Sequence, residues 1–480
     1  MRRLFTHTKA AVCLLVSGAG LICPHIIPLL RQSSAMTAAS RPTPGIKRDL
    51  DRFFKAHELI KVDPRQAAEQ VNGSGHLTLV TPQGTLDLVL TPHDMRAPEY
   101  RAVKVGADGA ARLLDIDAAR TFKGAVAGAA DSHARLTIDE RGVEGLIFRD
   151  GERYHVEPAR KFSASTASAD HVLYKASDVV QNSPVACAVT AGAKANAAGN
   201  HFAPAPDASA SPARVVDLAT EADYEYVSAH GGPANALREI LSILNQVEGI
   251  YEAELGITFR VVFQHAWETA ADPYTTTADS LLIINEFREH WNANFTHVAR
   301  DAAHMWTGKY MGGVLGRGWQ GVACQTPALS YGISRNDDRA PLKYNTPAHE
   351  IGHNLGASHA DAAPECVGSI MRPTTSGGLS FCQFSRAEIA QYVGGFGHCL
   401  TADALHSVGG LVADVNGNPA GGVRLELGGG RTAGAQTDPD GKYGFDDLAA
   451  GGNYAVTPSK AGYTFTPQSL SFNNLSNDQT

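Results

Sequence analysis

The sequence lacks an excess of positive charge and, beyond its first 30 residues, any long apolar run. Its 41 lysines and arginines are outnumbered by 49 aspartates and glutamates, which gives a formal net charge of -8. This balance argues against nucleic acid or an anionic membrane as a main partner. A membrane-spanning helix needs about 20 consecutive apolar residues, and no segment after residue 30 approaches that length. The chain is therefore predicted to work away from nucleic acid and, once its N-terminus is removed, away from the membrane.

The first 35 residues have the pattern of an export signal. Three basic residues precede an apolar stretch over residues 10–30, and a small-residue cleavage site follows at residues 33–35. We predict a signal peptide at residues 1–35 and a mature protein that is secreted. An uncleaved membrane anchor is the alternative, which Pro24 and Pro28 disfavour because proline interrupts a spanning helix.

Cysteine is scarce, with seven in 480 residues. Cys13 and Cys23 fall in the predicted signal peptide, so five remain in the mature chain. An odd number in an exported protein predicts two disulfides and one free thiol with another task. Cys187 stands alone upstream, whereas the other four lie between residues 324 and 399.

The N-terminal part of the mature chain is predicted to be rich in strands. Short alternating apolar runs separated by Gly, Asp and Ser indicate a mostly β domain over residues 36–187, here called the N-terminal domain. Residues 47–62 are the exception and are predicted as helix. Residues 188–213 have the Ala-, Pro- and Ser-rich composition of a flexible linker, which buries too little apolar surface to order itself.

Two further domains follow the predicted linker. Residues 214–402, the central domain, alternate predicted strands with helices, which indicates an α/β sheet with a site in a cleft beside it. One helix is predicted to begin near Pro233, because apolar residues recur at helical spacing after it. Over residues 407–480, the C-terminal domain, tight-turn pairs such as Asn416-Gly417 separate alternating runs and predict an antiparallel β-sandwich of about seven strands. The predicted fold class is therefore multidomain: β-rich, then α/β, then β-sandwich.

The most informative stretch reads His-Glu-Ile-Gly-His-Asn-Leu-Gly-Ala-Ser-His, at residues 349–359. His349 and His353 are four positions apart, so on a helix their imidazoles leave the same face. Gly356 can adopt the positive φ that ends a helix and turns the chain back, which lets His359 approach the same point. Three neutral nitrogens around one point, with a fourth position open, are the ligands of a catalytic zinc ion.

Glu350 lies beside the first histidine but projects about 100° round the helix from it, so it is not placed as a fourth ligand. Zinc lowers the pKa of its bound water and polarises a carbonyl oxygen. Glu350 is therefore predicted to take the proton of that water and return it to the leaving amine. The competing interpretations are three unrelated buried histidines and a solvated surface glutamate, and the combined spacing of five residues disfavours both.

The run matches the metzincin pattern H-E-x-x-H-x-x-G-x-x-H, whose other hallmark is a methionine turn under the metal. Ser-Ile-Met-Arg-Pro at residues 369–373 resembles that turn and implies that Met371 is the apolar floor beneath the imidazoles. Residues 217–400 resemble the adamalysin, or reprolysin, branch in particular. Adamalysins usually carry Asp directly after the third histidine, whereas here Ala360 intervenes and the acid is Asp361. A divergent, bacterial-type member fits this difference.

The adamalysin resemblance also implies covalent and metal features. Carried over by position, the family disulfides imply the pairs Cys324–Cys399 and Cys366–Cys382 in this chain. The resemblance implies one catalytic zinc ion, and a calcium ion for which no acidic cluster here provides assigned ligands. The extended piece at residues 313–316 is expected to be the edge strand on which a polypeptide substrate lies.

Residues 75–187 resemble the adamalysin propeptide, for example in Tyr-His-Val-Glu-Pro at residues 154–158. Such propeptides maintain latency with a cysteine whose thiolate occupies the open zinc position, and Cys187 is the candidate here. Cleavage within residues 188–214 would then release it; a stray free thiol is the alternative. Residues 432–472 resemble the carboxypeptidase-regulatory or prealbumin-like sandwiches appended to secreted bacterial enzymes.

Together, motif and resemblance imply a secreted, monomeric, zinc-dependent endopeptidase made as a latent zymogen that hydrolyses extended polypeptides outside the cell. An alternative of a different class is an adhesin or binding protein with a vestigial zinc site. The intact Glu350 disfavours it, because an inactive relative has no need of a proton shuttle. Zinc-dependent hydrolysis of a non-peptide amide is a third possibility, for which the sequence has no feature of its own.

Overall fold

The structure is a computed structural model in which most of the chain is described. The described ranges are residues 4–7, 37–39, 43–117, 120–129, 131–180, 185–191, 214–375, 378–402, 405–429, 433–449, 452–473, 475 and 477–480. The predicted signal peptide, apart from residues 4–7, lies outside these ranges, as does the predicted linker from residue 192 to residue 213.

Before residue 192 the described chain consists mainly of strands. They are β1 (Leu4–His7), β2 (Thr37–Ala39), β3 (Glu58–Val62), β4 (His76–Thr81), β5 (Gly84–Pro92), β6 (Arg96–Val105), β7 (Ala111–Leu114), β8 (Thr121–Val126), β9 (His133–Asp139), β10 (Gly142–Arg149), β11 (Glu152–Pro158), β12 (Asp170–Lys175) and β13 (Val185–Ala191). Two helices, α1 (Pro44–Leu50) and α2 (Pro64–Ser74), lie among them. Nine of the strands form an antiparallel sheet in the order β2-β3-β12-β11-β10-β9-β8-β5-β4, which curves until β2 and β3 lie beside β4.

The helix predicted over residues 47–62 is wrong beyond Leu50, where α1 ends. Residues 58–62 form β3 instead, which pairs with β2 and β12. Ile60 and Val62 are fully buried in the core of the curved sheet. Helix propensity is a weak preference, and burial of β-branched side chains between neighbouring strands outweighs it here.

The central domain combines a mixed sheet with helices. Its strands are β14 (Arg214–Ala222), β15 (Ile257–Trp267), β16 (Ala302–Thr307), β17 (Val314–Gln320), β18 (Tyr331–Arg335), β19 (Thr374–Thr375) and β20 (Thr401–Ala402). Its helices are α3 (Tyr224–Ala229), α4 (Pro233–Leu255), α5 (Ser280–Asn294), α6 (Leu342–Asn354) and α7 (Gln383–Phe396). The sheet runs β19-β13-β17-β18-β16-β14-β15-β6-β7, with β20 beside β14. Short 3₁₀ turns lie at Ala159–Lys161, Ala176–Asp178, Pro327–Leu329, Pro364–Cys366 and Gly397–Cys399.

Two segments upstream of the predicted linker belong to this central sheet. Strand β6 pairs in parallel with β15 and extends that end of the sheet, with β7 beyond it. At the other end, β13 lies between β17 and β19. Residues 188–191 were predicted as linker but form the end of β13, because the edge of β17 supplies backbone partners that composition alone does not reveal.

Helix α4 forms the centre of the domain's main hydrophobic core. It begins at Pro233, as predicted, and ends at Leu255; the C-cap Gly256, with a φ of 63°, closes the helix in the left-handed conformation. Leu237, Ile240 and Leu244 are fully buried, as their helical spacing requires. Apolar residues at this spacing form one continuous stripe, which packs against β15.

The face of α4 that is turned to the N-terminal domain is polar, yet it is buried. Strands β9 and β10, together with the turn between them, supply partners for its side chains and so cover that face. The contacts are Thr137 with Ser242 (2.7 Å), the Leu146 N–H with Gln246 (2.9 Å), Arg135 with Glu248 (2.7 Å) and Arg141 with Glu239 (2.9 Å). If the N-terminal domain were removed, water could solvate these polar side chains, whereas the exposure of an apolar surface to water would be costly. This interface is therefore compatible with removal of the N-terminal domain.

The C-terminal domain is the predicted sandwich. Its strands are β21 (Leu405–Asp414), β22 (Arg424–Gly429), β23 (Ala433–Gln436), β24 (Lys442–Ala449), β25 (Tyr454–Ser459), β26 (Phe465–Thr466) and β27 (Leu470–Phe472). They form two small sheets, β24-β21-β1-β26 and β23-β22-β25-β27, which enclose Val412, Leu425 and Val456. The predicted multidomain fold class is therefore confirmed. Across the described ranges, no helix is both long and apolar enough to cross a membrane.

Candidate metal centre

Helix α6 carries the first two predicted metal ligands. His349 and His353 are buried one turn apart, with ring centroids separated by 4.6 Å. Gly356 follows the helix with a φ of 98° and turns the chain back. The turn brings the ring of His359 to within 5.3 Å of His349 and 4.9 Å of His353. The structure therefore gathers the three predicted imidazoles around one point.

Backbone carbonyls set the orientation of the two helix histidines. Nδ1 of His349 lies 2.6 Å from the Ile370 carbonyl, and Nδ1 of His353 lies 2.8 Å from the Ala357 carbonyl. A carbonyl oxygen only accepts hydrogen bonds, so each Nδ1 carries the proton and donates it. Each Nε2 therefore presents a lone pair to the shared centre, which is the tautomer that a metal ligand needs.

These nitrogens fit a divalent cation. Nε2 of His353 is buried without a hydrogen-bond partner, and the Nε2 atoms of His349 and His359 face each other at 3.3 Å. Burial lowers the pKa of all three rings, that of His349 to about 3, so they are neutral at neutral pH. Buried lone pairs that face one another are costly unless a common partner satisfies them. Zinc accepts three such nitrogens in one site.

Strand β13 adds a sulfur to this group. The pairing of β13 with β17 shifts register between Ala186 and Ala188, and a β-bulge of this kind re-aims the side chain between them. The Cys187 N–H donates to the Pro373 carbonyl at 2.8 Å. Its Sγ and the ligand nitrogens of the three histidines all lie within 4.8 Å of one another. Among the cysteines that the structure describes, Cys187 is the one outside a disulfide.

Glu350 is completely buried beside the same thiol. Its Oε1 accepts a hydrogen bond from Cys187 Sγ at 2.9 Å, whereas Oε2 has no partner. Burial raises the pKa of Glu350 to about 8, and the Cys187 hydrogen bond and the positive charge of Arg317 oppose part of that rise. Burial also raises the pKa of the Cys187 thiol, and the neighbouring Glu350 carboxylate adds to the increase.

Two glycines of β17 provide the space for this carboxylate. A Cβ at Gly316 would lie 2.3 Å from Glu350 Oε1, and a Cβ at Gly318 would lie 2.8 Å from the Glu350 carbonyl. Alternate residues of a strand face the same side, so Gly316 and Gly318 together leave one continuous space on the face of β17 that contacts Glu350. The spacing of the histidine motif gives no sign of this role for Gly316 and Gly318, because they lie more than 30 positions before Glu350 in sequence.

Met371 lies against α6 at Gly352, the residue before His353. It is fully buried, and its Sδ would be 2.8 Å from a Cβ at Gly352, so this close packing depends on glycine there. The structure also contains both disulfides that the resemblance implied, Cys324–Cys399 and Cys366–Cys382. Cys324–Cys399 joins the loop after β17 to the C-terminal end of α7. Cys366–Cys382 joins the segment that follows His359 to the N-terminal end of α7.

A second group with metal-ligand spacing among the described residues is Asp301 with Cys324 and Cys399. Because the two sulfurs form a disulfide with each other, neither is a thiolate ligand. This group therefore offers no site for calcium, whose ligands are oxygens, and the calcium ion stays an expectation without assigned residues.

The geometry and the comparisons with known proteins define the class of this domain. The domain has two histidines on a helix, a third histidine after a glycine turn, and a methionine packed against that helix, all beside a mixed sheet. These are the features of a metzincin-type metallopeptidase domain. Residues 212–387 match the family model described as Metallo-peptidase family M12, of the reprolysin type. Residues 407–474 match the model described as Carboxypeptidase regulatory-like domain. The chain thus carries a reprolysin-type M12 metallopeptidase domain followed by a carboxypeptidase regulatory-like domain.

Curated relatives agree with the family match. The zinc metalloproteinase-disintegrin-like brevilysins H2a and H2b of Gloydius brevicauda are each 32% identical to this chain over 176 residues. The matched region is 35% of this chain and 41% of each relative, so the chain spans less than half the length of the relatives it matches.

Proposed function

We propose that this protein is a secreted zinc-dependent endopeptidase that is made as a latent zymogen. The observation that carries the proposal is the convergence of three neutral imidazoles, a buried carboxylate and a β-sheet edge at one place. His349, His353 and His359 would hold the metal. The M12 match supports zinc as that metal and polypeptides as the substrate class.

Glu350 is the residue placed to move protons in this reaction. Zinc bound by the three histidines would activate a water molecule and polarise the carbonyl of the scissile bond. In the structure Cys187 engages Oε1 of Glu350, and Oε2 has no hydrogen-bond partner among the described residues, so withdrawal of Cys187 would open the carboxylate to water. The carboxylate would then take a proton from the attacking water and deliver it to the nitrogen of the leaving amine.

The pairing of β13 supports an extended polypeptide as the substrate. This strand belongs to the same chain, yet it occupies the place between β17 and β19 by backbone pairing, parallel to β17 and antiparallel to β19. Backbone hydrogen bonds are independent of side-chain identity, so an extended substrate of many sequences can add to the same edges. The predicted substrate strand at residues 313–316 overlaps the beginning of β17.

Latency follows from the same strand in this proposal. While β13 is in place, it covers the edge that a substrate needs and holds the Cys187 sulfur beside the three histidines, where it would be a fourth ligand of the metal. Cleavage within residues 188–214 would separate the N-terminal domain covalently from the central domain. Mass spectrometry of the matured protein would locate that cut, and a mature N-terminus outside the segment would contradict this part of the proposal.

Secretion is proposed from the N-terminal signal pattern and from the two disulfides. Disulfides persist in oxidising compartments and are rare in a reducing cytosol. Recovery of the precursor from culture medium, with an N-terminus near residue 36 before the activating cut, would be the expected result. A chain that stays inside the cell with an intact N-terminus would contradict it.

The overall proposal is tested by casein digestion together with metal analysis. We expect the matured protein to contain one zinc ion per chain, to digest casein, and to lose both metal and activity in a chelator, because Glu350 has no water to act on without the metal. Activity should return when zinc is restored. Stoichiometric zinc without digestion of casein or other unfolded polypeptides would favour the alternative of a binding protein with a vestigial site.

Gly316→Ala is expected to impair catalysis without unfolding the protein. The added methyl group would lie 2.3 Å from Glu350 Oε1, so the carboxylate must move away from the cleft. Misplacement of a catalytic group by about 1 Å can cost about a hundredfold, so a comparable loss in kcat with an unchanged zinc content is expected. Gly434→Ala in the C-terminal domain, where a Cβ meets nothing, is the matched control. Wild-type kcat in Gly316→Ala would show that Glu350 does not depend on this space.

A further inference from the structure

A carboxylate outside the histidine motif holds the turn that carries the third histidine. Glu388 lies half-buried on α7 and accepts two kinds of hydrogen bond from Ser358, the residue directly before His359. The Ser358 N–H donates to Glu388 Oε2 at 2.9 Å, and the Ser358 hydroxyl lies 2.8 Å from Oε1 and 3.0 Å from Oε2. Both oxygens of the carboxylate are thus engaged with one residue of the turn.

The third histidine differs from the other two in how it is oriented. Carbonyls anchor Nδ1 of His349 and His353, whereas in the part of the chain that the structure describes no carbonyl partner anchors Nδ1 of His359. Its ring is also the least buried of the three. The position of Nε2 in His359 therefore depends on the backbone of the turn more than on a bond to the ring itself.

Helix α7 supports that turn at two points. At its beginning, a Cβ at Gly356 would lie 2.5 Å from the side chain of Tyr392, so the turn packs directly on the Tyr392 ring. Glu388 lies one helical turn before Tyr392, on the same face of α7, and holds Ser358. On the other side of His359, Ala360 has no polar side chain, and its N–H donates to the Met371 carbonyl at 2.8 Å.

We propose that Glu388 is a positioning residue for the metal centre: through Ser358 it fixes the turn at residues 356–360, so that His359 meets the other two imidazoles. The inference rests on the proposed zinc site and adds a residue from a different element to it. Hydrogen-bonded groups that hold metal ligands in place commonly contribute about 10- to 100-fold to metal affinity or activity. Neither motif spacing nor the family pattern identifies Glu388, because it lies 29 positions from His359 in sequence.

Zinc affinity of the full chain is the principal test. Glu388→Ala is expected to weaken zinc binding, measured by competition with a chromophoric chelator, by about tenfold or more. The ligand-field absorption of the Co²⁺-loaded chain should change as well, because one imidazole is held less firmly. Ser358→Ala should give a smaller loss, since its N–H still donates to Glu388.

Glu388→Gln is the rescue variant. The glutamine carbonyl oxygen can accept from the Ser358 N–H, and its amide can donate to the Ser358 hydroxyl, so affinity close to the wild type is expected. Gln391→Ala, an exposed substitution on the same helix, is the matched control. The order of affinities should therefore be wild type and Gln391→Ala, then Glu388→Gln, then Ser358→Ala, then Glu388→Ala.

The inference is overturned if Glu388→Ala, folded as judged by its melting temperature, binds zinc with wild-type affinity and an unchanged Co²⁺ spectrum. If Glu388→Ala does not fold, Ser358→Ala decides, and wild-type affinity in that variant overturns the inference. Failure of the proposed function is a separate outcome, because the wild-type chain itself would then bind no stoichiometric zinc or cleave no polypeptide.

Discussion

Glu350→Ala is expected to lower kcat/KM of the matured protein for casein-derived peptides by about 10²–10⁴-fold, the range that one general acid–base group contributes. The reason is local, because Glu350 is the carboxylate that the structure places beside the three imidazoles, and its Oε2 has no other partner. The loss should fall on kcat more than on KM, since the proton moves in the chemical step. Steady-state kinetics on one fluorogenic peptide would measure both constants.

Glu350→Gln is the control that separates chemistry from packing. Glutamine fills the same buried space above Gly316 and Gly318 but cannot accept the proton, so we expect a loss close to that of Glu350→Ala. Both variants should retain one zinc ion per chain, because Glu350 is not a ligand. Retention of more than about a tenth of the wild-type kcat in Glu350→Gln would rule out the proton-transfer role.

Cys187→Ser is expected to convert the uncut precursor from a silent into an active form. The substitution removes the sulfur that lies among the three histidines and leaves the rest of the chain unchanged. A zinc–thiolate contact worth more than about 1.4 kcal/mol predicts at least a tenfold gain in activity, since that energy is tenfold in an equilibrium. Cleavage of a short peptide by the intact precursor, verified as uncut by mass spectrometry, is the measurement.

Ala188→Ser is the matched control for this variant. It introduces the same serine at the neighbouring position of β13 and leaves the Cys187 thiol in the chain, so its precursor should remain inactive. A smaller gain for casein than for a short peptide is also expected with Cys187→Ser, because β13 still pairs with β17 and covers the edge that a long substrate needs. If the Cys187→Ser precursor is as silent as the wild type, the cysteine is not the switch.

The metal motif could be interpreted from sequence because its geometry is local. Four positions between His349 and His353 place both rings on one helical face, and Gly356 supplies the turn, so three ligands follow from eleven consecutive residues. Helix α4 could also be predicted from the sequence, since its apolar stripe and Pro233 lie within one continuous segment. The disulfides came from the family resemblance, because cysteine counts alone do not determine pairing.

Strands whose pairing partners lie far away in the sequence could not be predicted from local patterns. Composition placed residues 188–191 in a linker, but the edge of β17, more than 120 positions further along the chain, turns them into strand. The same reason hides β6 as a member of the central sheet. The helix predicted at residues 47–62 failed because β2 and β12 provide neighbours for residues 58–62. The role of the Ala357 and Ile370 carbonyls in orienting the histidines could not be predicted, because every residue has a backbone carbonyl and the sequence does not single these two out.

The presence of upstream strands at both ends of the central sheet bears on what one proteolytic cut achieves. Hydrolysis of a peptide bond between residues 192 and 213 breaks none of the hydrogen bonds that join β13 to β17 or β6 to β15. The nicked molecule is then a two-chain complex, and its inhibition obeys a dissociation constant. Concentration, rather than the cut alone, therefore sets what fraction of the clefts is open, and a concentrated stock of nicked protein stays inhibited until it is diluted.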